Sequence, residues 1–262
     1  MTANAPIRTE SLTKRYGETV AVRDLTFEVE RGEVFGFLGP NGAGKTTTMQ
    51  MLTTLTRPSS GEAWVAGEPV TDRDAVVERL GYMPEEPPIY DELTGREQLE
   101  YVAGLRDLPD GEADRTIRDL LGRFDLAADA DDRISTYSKG MKQKTALIQA
   151  LLHDPQVLFL DEPTSGLDPR AARTVRNLIS ELREEGMTVF LSTHILPVVE
   201  ELADRVGVLH DGRLVAEGSP ESLTHRAESG EESTLEEVFL EVTSEHPEGE
   251  VGADEERSEF AR

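Results

Sequence analysis

Along the 262 residues, apolar positions switch between two periods. From Ile7 to Glu33 apolar and polar residues alternate, with Gly17 and Gly32 as breakers. Thr26-Phe27-Glu28-Val29-Glu30 is a clear period-two strand. The unbroken apolar run Val34-Phe35-Gly36-Phe37-Leu38 reads as a buried strand, and Thr46 to Leu52 opens a helix after it. Gly61-Glu62-Ala63-Trp64-Val65-Ala66-Gly67 then rejoins the antiparallel portion. Leu80-Gly81-Tyr82-Met83 is a short strand stopped by Pro84, Pro87 and Pro88. From about Thr94 to His153 the spacing turns helical, as in Ile117-Leu120-Leu121-Phe124, with no strand-like run between. A helical insert over about 90–153 is expected.

In the second half, Val157-Leu158-Phe159-Leu160 is an all-apolar strand ending in Asp161-Glu162. A helix over about 170–185 leads into the strand Thr188 to Thr193. Strand–helix–strand alternation of this kind implies a parallel sheet with crossover helices. Val206 to Val215 reads as a hairpin around Asp211-Gly212. A short helix is expected over Leu235 to Leu240, and the acidic, apolar-poor stretch 244–262 is expected to be disordered. The fold class is therefore α/β: a parallel-sheet core with an antiparallel β subdomain and an α-helical insert. Its main domain spans 1–220 and a C-terminal extension spans 221–262.

Between the buried strand and the first helix lies Gly39-Pro40-Asn41-Gly42-Ala43-Gly44-Lys45-Thr46, spaced G-x-x-x-x-G-K-T. Glycines let backbone N–H groups converge on a polyanion without Cβ interference. Lys45 supplies a point charge for β- and γ-phosphates, and the Thr46 hydroxyl can ligate Mg²⁺. The helix that follows, through Thr47, directs its positive end at the phosphates. This loop predicts binding of ATP or GTP.

Charge narrows the partners. The chain carries 52 Asp and Glu against 27 Lys and Arg, a net of −25. Lysines occur only at 14, 45, 139, 142 and 144. Such a field repels nucleic-acid phosphates and anionic lipid, so neither is expected as a main ligand. Its self-repulsion is screened at high salt, which points to a halophilic source. Without cysteine there is no disulfide framework or thiolate metal site. The start, Met1-Thr2-Ala3-Asn4-Ala5-Pro6, lacks the pattern of a signal peptide, and no apolar run reaches the ~20 residues of a membrane span. A cytoplasmic location is expected.

A phosphate loop alone does not separate kinases, GTPases and motor ATPases. Asp161, at the end of a buried strand, is placed to hold Mg²⁺, and Glu162 beside it to polarise an attacking water. Tyr137-Ser138-Lys139-Gly140-Met141-Lys142-Gln143-Lys144, ahead of that strand, resembles the signature motif of ABC (ATP-binding cassette) ATPases. Ser165-Gly166-Leu167-Asp168 looks like the D-loop of that family and His194 like its switch histidine. Tyr16 sits where its adenine-stacking aromatic does. The resemblance covers roughly residues 5 to 220.

By that resemblance, Lys45 and His194 stabilise charge on the transferred phosphoryl group and Glu162 is the catalytic carboxylate. Residues Gly39 to Thr47 bind phosphates, Ser138 to Met141 reach the γ-phosphate of a second subunit, and Asp168 couples the two sites. Two features depart from the common pattern. Glu85 stands where most members have glutamine, and Lys139 and Met141 alter the usual Leu-Ser-Gly-Gly-Gln. Glu85 can still ligate Mg²⁺ but donates a hydrogen bond only when protonated. Both departures, and the ending Leu235-Glu236-Glu237-Val238-Phe239-Leu240, resemble the ABC-2-type exporter branch. The resemblance implies an ATPase using ATP and Mg²⁺, paired with a second ATP-binding subunit. It also implies a separate membrane permease, which would hold the chain at the inner face of the membrane. A soluble ABC ATPase of repair or translation, and a binding module with little hydrolysis, are the alternatives.

Overall fold

The computed structural model describes residues 5–224 and 234–244. In chain order, β1 (Ile7–Tyr16), β2 (Thr19–Val29) and β3 (Val34–Leu38) lead through the glycine-rich loop into α1 (Lys45–Leu52). Next come β4 (Ser60–Val65), β5 (Glu68–Pro69), α2 (Arg73–Val77) and β6 (Leu80–Met83). Three helices follow: α3 (Gly95–Leu105), α4 (Asp110–Arg123) and α5 (Lys139–Leu151). The chain returns to the sheet with β7 (Val157–Asp161), α6 (Pro169–Glu184), β8 (Thr188–Thr193) and α7 (Leu196–Leu202). It closes with β9 (Arg205–His210), β10 (Arg213–Gly218), α8 (Pro220–Thr224) and α9 (Leu235–Ser244).

These strands form two sheets. An antiparallel sheet has the order β2-β1-β4-β5, and a larger sheet has the order β10-β9-β3-β8-β7-β6. In the larger sheet β9, β3, β8, β7 and β6 run parallel, with β10 antiparallel at one edge. Every residue of β3, β7 and β8 is buried. That explains why their sequences are continuous apolar runs rather than alternations.

Five phenylalanines join the sheets. Phe27 of β2 stacks on Phe35 of β3 with ring centroids 5.4 Å apart, and Phe190 of β8 lies 5.1 Å from Phe37 and 5.5 Å from Phe159. Phe27 of β2 meets the alternate positions Phe35 and Phe37 of β3, so the two sheets share one core.

Helices α3, α4 and α5 share a second hydrophobic cluster with β7, β8 and α6, so the helical insert is packed into the main core rather than apart from it. Thr94 opens α3 with a reciprocal capping box to Glu97. Where α5 crosses β6, a Cβ on Gly81 would collide with the carbonyl oxygen of Ala150, so the close crossing requires glycine. His153, just past α5, ties that helix to β6 through Nε2 and the carbonyl of Leu80 at 2.8 Å.

The β9–β10 hairpin turns through Asp211 and Gly212, both left-handed, with φ of 45° and 74°. That is the two-residue turn expected of Asp-Gly. The short elements β5, α2, α7 and α8 have no counterpart in the sequence reading. Ser244 closes α9, and the stretch 245–262, expected to be disordered, lies outside the described residues.

Candidate nucleotide site

The glycine-rich loop is set by its neighbours before any ligand enters. A Cβ on Gly39 would stand 2.5 Å from the carbonyl oxygen of Leu209, and one on Gly44 2.5 Å from that of Ala21. Gly44 also has φ +106°, a conformation that L side chains avoid. Ala43 donates to the Pro40 carbonyl at 3.2 Å, and the hairpin tip donates back from Gly212 N–H to the Ala43 carbonyl at 2.9 Å. Two segments far apart in sequence, β2 at Ala21 and the β9–β10 hairpin at Leu209 and Gly212, therefore brace this loop.

Lys45 is 6% exposed. Its ammonium donates to the carbonyls of Gly39 at 2.6 Å and Pro40 at 3.2 Å, and lies 4.0 Å from Glu162 Oε1. Burial pulls its pKa down, while Glu162, Asp161 and Glu85 pull it back up.

Glu162 follows directly after β7 with φ +48°, a strained conformation for a residue with a long side chain. Its N–H donates to the Ser192 carbonyl at 2.8 Å, anchoring the turn to β8. Nδ1 of His194 lies 2.7 Å from Oε1, and the Thr193 hydroxyl lies 2.9 Å from Oε2. Asp161, next to it, is buried, and burial raises its carboxyl above the usual range. The nearby Glu162 and Glu85 raise it further.

One cavity is lined by Pro40, Asn41, Gly42, Gly44, Lys45, Thr46 and Thr47 on one side and by Glu85, Asp161, Glu162 and His194 on the other. Gly39 and Ala43 support it from behind, Gly39 through its carbonyl and Ala43 from within the core. The oxygen donors of Thr46, Glu85 and Asp161 suit a hard cation. Their carboxylates also lie close enough that a cation would relieve their repulsion. Among the described residues no three His, Asp or Glu side chains converge on one point as a closed metal cage. Mg²⁺ is commonly held by one or two carboxylates together with substrate phosphates, so this open set fits it.

The other sequence-predicted residues lie elsewhere. Tyr16, expected to stack on adenine, is 49% exposed at the end of β1 and does not line this cavity. Ser138, Gly140, Met141 and Asp168 line a second cavity with Lys144, Arg170, Ala171 and Thr174. There Ser138 caps α5 by accepting from Met141 N–H at 3.2 Å, and Asp168 caps α6 by accepting from Arg170 and Ala171. Gly140 allows close packing, since its Cβ would meet that of Ala171 at 2.9 Å. Lys139 reaches across to Gly166, with Nζ in the space a Cβ there would take.

Arg170, Ala171 and Thr174 of the second cavity escaped sequence reading, as did two residues at the first. Ala21 forms part of the first cavity's wall and Thr193 touches Glu162. A threonine ending a buried strand is ordinary β-former usage, so only its position directly before His194 hinted at a role.

A phosphate-binding loop between a buried parallel strand and a helix, facing an acidic pair at a nearby strand end, defines a phosphate-loop nucleoside triphosphatase. The family model described as ABC transporter matches residues 22–165, and the chain belongs to that family. It is 44% identical over 220 residues to the Fluoroquinolones export ATP-binding protein of Mycobacterium tuberculosis, covering 83% of this chain and 72% of that one. It is 40% identical over 213 residues to the Bacitracin transport ATP-binding protein BcrA of Bacillus licheniformis, covering 80% and 69%. A solved structure described as an ATP binding subunit of an ABC transporter superposes with a TM-score of 0.80 at 33% identity, covering 90% of this chain and 99% of that one. The fold is that of an ABC ATPase, and the chain is an ATP-binding, ATP-hydrolysing subunit of an ABC transporter.

Proposed function

We propose that this chain drives an ABC-2-type exporter by closing on a second ATP-binding subunit, head to tail, with ATP between them. The observation that carries the reading is the separation of two half-sites. Lys45, Asp161, Glu162 and His194 share one cavity, while Ser138, Gly140 and Asp168 line another. A second subunit in reversed orientation would bring one of each together over a shared nucleotide.

The reaction is ATP + H₂O → ADP + phosphate. The water oxygen bonds to the γ-phosphorus, and the bond to the β,γ-bridging oxygen breaks with its electron pair leaving on ADP. Glu162 takes the water proton, and Lys45 and His194 face the charge on the transferred group. Thr46, Asp161 and Glu85 would hold Mg²⁺, which when bound neutralises phosphate charge. Backbone N–H groups from Gly39 to Thr47 fix the phosphates, and Tyr16, half exposed with Lys14 over its ring at 4.9 Å, offers a face to adenine. On the second subunit, Ser138 brings a hydroxyl, Gly140 a bare backbone and Lys139 a cation.

The permease is a separate chain. Among the described residues no helix is long and apolar enough to cross a membrane. On α3, the exposed Tyr101 meets Tyr90 edge to face at 5.7 Å, and Leu105 is 66% exposed nearby. This aromatic face on the helical insert is where we place permease docking, at the cytoplasmic side of the membrane. The relatives named for fluoroquinolones and bacitracin are similar to this chain to nearly the same degree, 44% and 40%. The first is named for export, which supports that direction, and their different cargoes support a cargo chosen by the permease.

Glu162→Gln tests the reading. The variant is expected to bind ATP, to elute as an ATP-dependent dimer and to lose at least about a hundredfold in turnover. Near-normal turnover would remove Glu162 from its role, and a monomer at saturating ATP would remove the paired site.

A further inference from the structure

We propose that Thr193 is the positioning residue of the hydrolytic carboxylate, fixing Oε2 of Glu162 so that Oε1 faces His194, Lys45 and the nucleotide cavity. The inference rests on the reading of Glu162 as the proton acceptor.

Thr193 ends β8 and is fully buried. Its hydroxyl oxygen accepts the Ile195 N–H at 3.1 Å and lies 2.9 Å from Glu162 Oε2. A hydroxyl has one hydrogen and two lone pairs, and an ionised carboxylate only accepts. With a lone pair committed to Ile195, the hydroxyl hydrogen points to Oε2. That oxygen is thereby occupied and fixed, while Oε1 turns toward Lys45 and His194 at 4.0 and 2.7 Å.

Two grips from one strand complete the arrangement. The Ser192 carbonyl holds the Glu162 N–H at 2.8 Å, and the Thr193 side chain holds its carboxylate one residue further along β8. Glu162 needs both because φ +48° places its backbone in a sparsely populated region, from which it would relax if released. Thr193 is not among the residues that line the nucleotide cavity. It therefore bears on the angle of proton transfer and not on nucleotide affinity.

The test compares Thr193→Val, Thr193→Ser and Glu162→Gln in the full-length chain, measuring ATP affinity by titration together with kcat and KM for hydrolysis. Valine keeps the shape and strand preference of threonine and removes only the hydroxyl. Thr193→Val is expected to lower kcat by about ten- to a hundredfold, the scale of a misplaced catalytic group, with KM and ATP affinity within about twofold. Thr193→Ser restores the hydroxyl and is expected to recover most of the rate. The inference is overturned by a Thr193→Val enzyme with the parent kcat beside an inactive Glu162→Gln. A serine variant as slow as the valine variant, or a KM that rises in step with the fall in kcat, overturns it equally. An active Glu162→Gln enzyme removes the reading beneath it as well. Should Thr193→Val not fold, the smaller Thr193→Ala carries the same comparison against serine.

Discussion

The ammonium of Lys45 is bonded to the carbonyl of Gly39 at 2.6 Å, six residues back in its own loop. The charge that meets phosphate is thus held in place by neutral carbonyls, with Glu162 at the edge of its reach. Lys45→Met removes the charge and keeps the stem in the core. ATP affinity is expected to fall by about one to two orders of magnitude, the worth of a charged hydrogen bond of roughly 1.5–3 kcal/mol. Calorimetric titration with ATP reads the loss, and unchanged affinity would place the phosphates elsewhere.

Asp161 is a buried carboxylate beside two others, with Ser192 and Lys45 opposing their effect. Burial raises its carboxyl pKa, and Glu162 and Glu85 add to the effect. Asp161→Asn removes the charge at constant shape. Without nucleotide or metal the variant is expected to melt a few degrees higher, about 2–4 °C per kcal/mol relieved. Its Mg²⁺-dependent hydrolysis is expected to be lost. A lower melting point would show that Lys45 already balances the carboxylate.

His153 gives the fold an acid-sensitive seam. Its pKa is lowered to about 4, first by burial and then by Arg106, against an ordinary value of 6.5. Between those values the unfolded chain binds a proton that the folded chain refuses, so stability falls as pH drops from 6.5 toward 4. The full loss is roughly 3 kcal/mol, at 1.36 kcal/mol per pKa unit. His153→Gln keeps a donor for the Leu80 carbonyl and removes the titration. Urea midpoints at about pH 7 and pH 4.5 are expected to converge more in the variant than in the parent.

Net charge of −25 makes stability depend on salt. The thermal midpoint is expected to rise between about 0.1 M and about 2 M KCl, as the Debye length contracts toward ~3 Å. A flat response would mean that the acidic surface costs the fold nothing and would remove the halophilic reading.

The phosphate loop was legible because its chemistry demands fixed residues at fixed spacing, and β3, β7 and β8 because double burial leaves only apolar residues. The hairpin at Asp211-Gly212 was legible for a conformational reason, since two consecutive left-handed residues select that pair. Other features had no such signature. The positive φ of Glu162 leaves no trace in a sequence, because the strain is imposed by β8. Thr193 passed as a strand residue. Asp168, which the resemblance makes the residue coupling two sites, is also the cap of α6 with proline in the first turn, a local role that the resemblance does not name. The elements α2 and β5, five and two residues long, are too short for periodicity to register.

Strand β3, which carries the phosphate loop, has only two neighbours in its sheet, β8 and β9. Both lie beyond residue 165, where the family match ends. A fragment cut there would retain Lys45, Asp161 and Glu162 but leave β3 with two bare edges and its loop without the brace of Gly212. The stretch that the family model matches is thus shorter than the stretch that must fold, and ATP would have no place to bind until ribosomal synthesis had passed the β9–β10 hairpin.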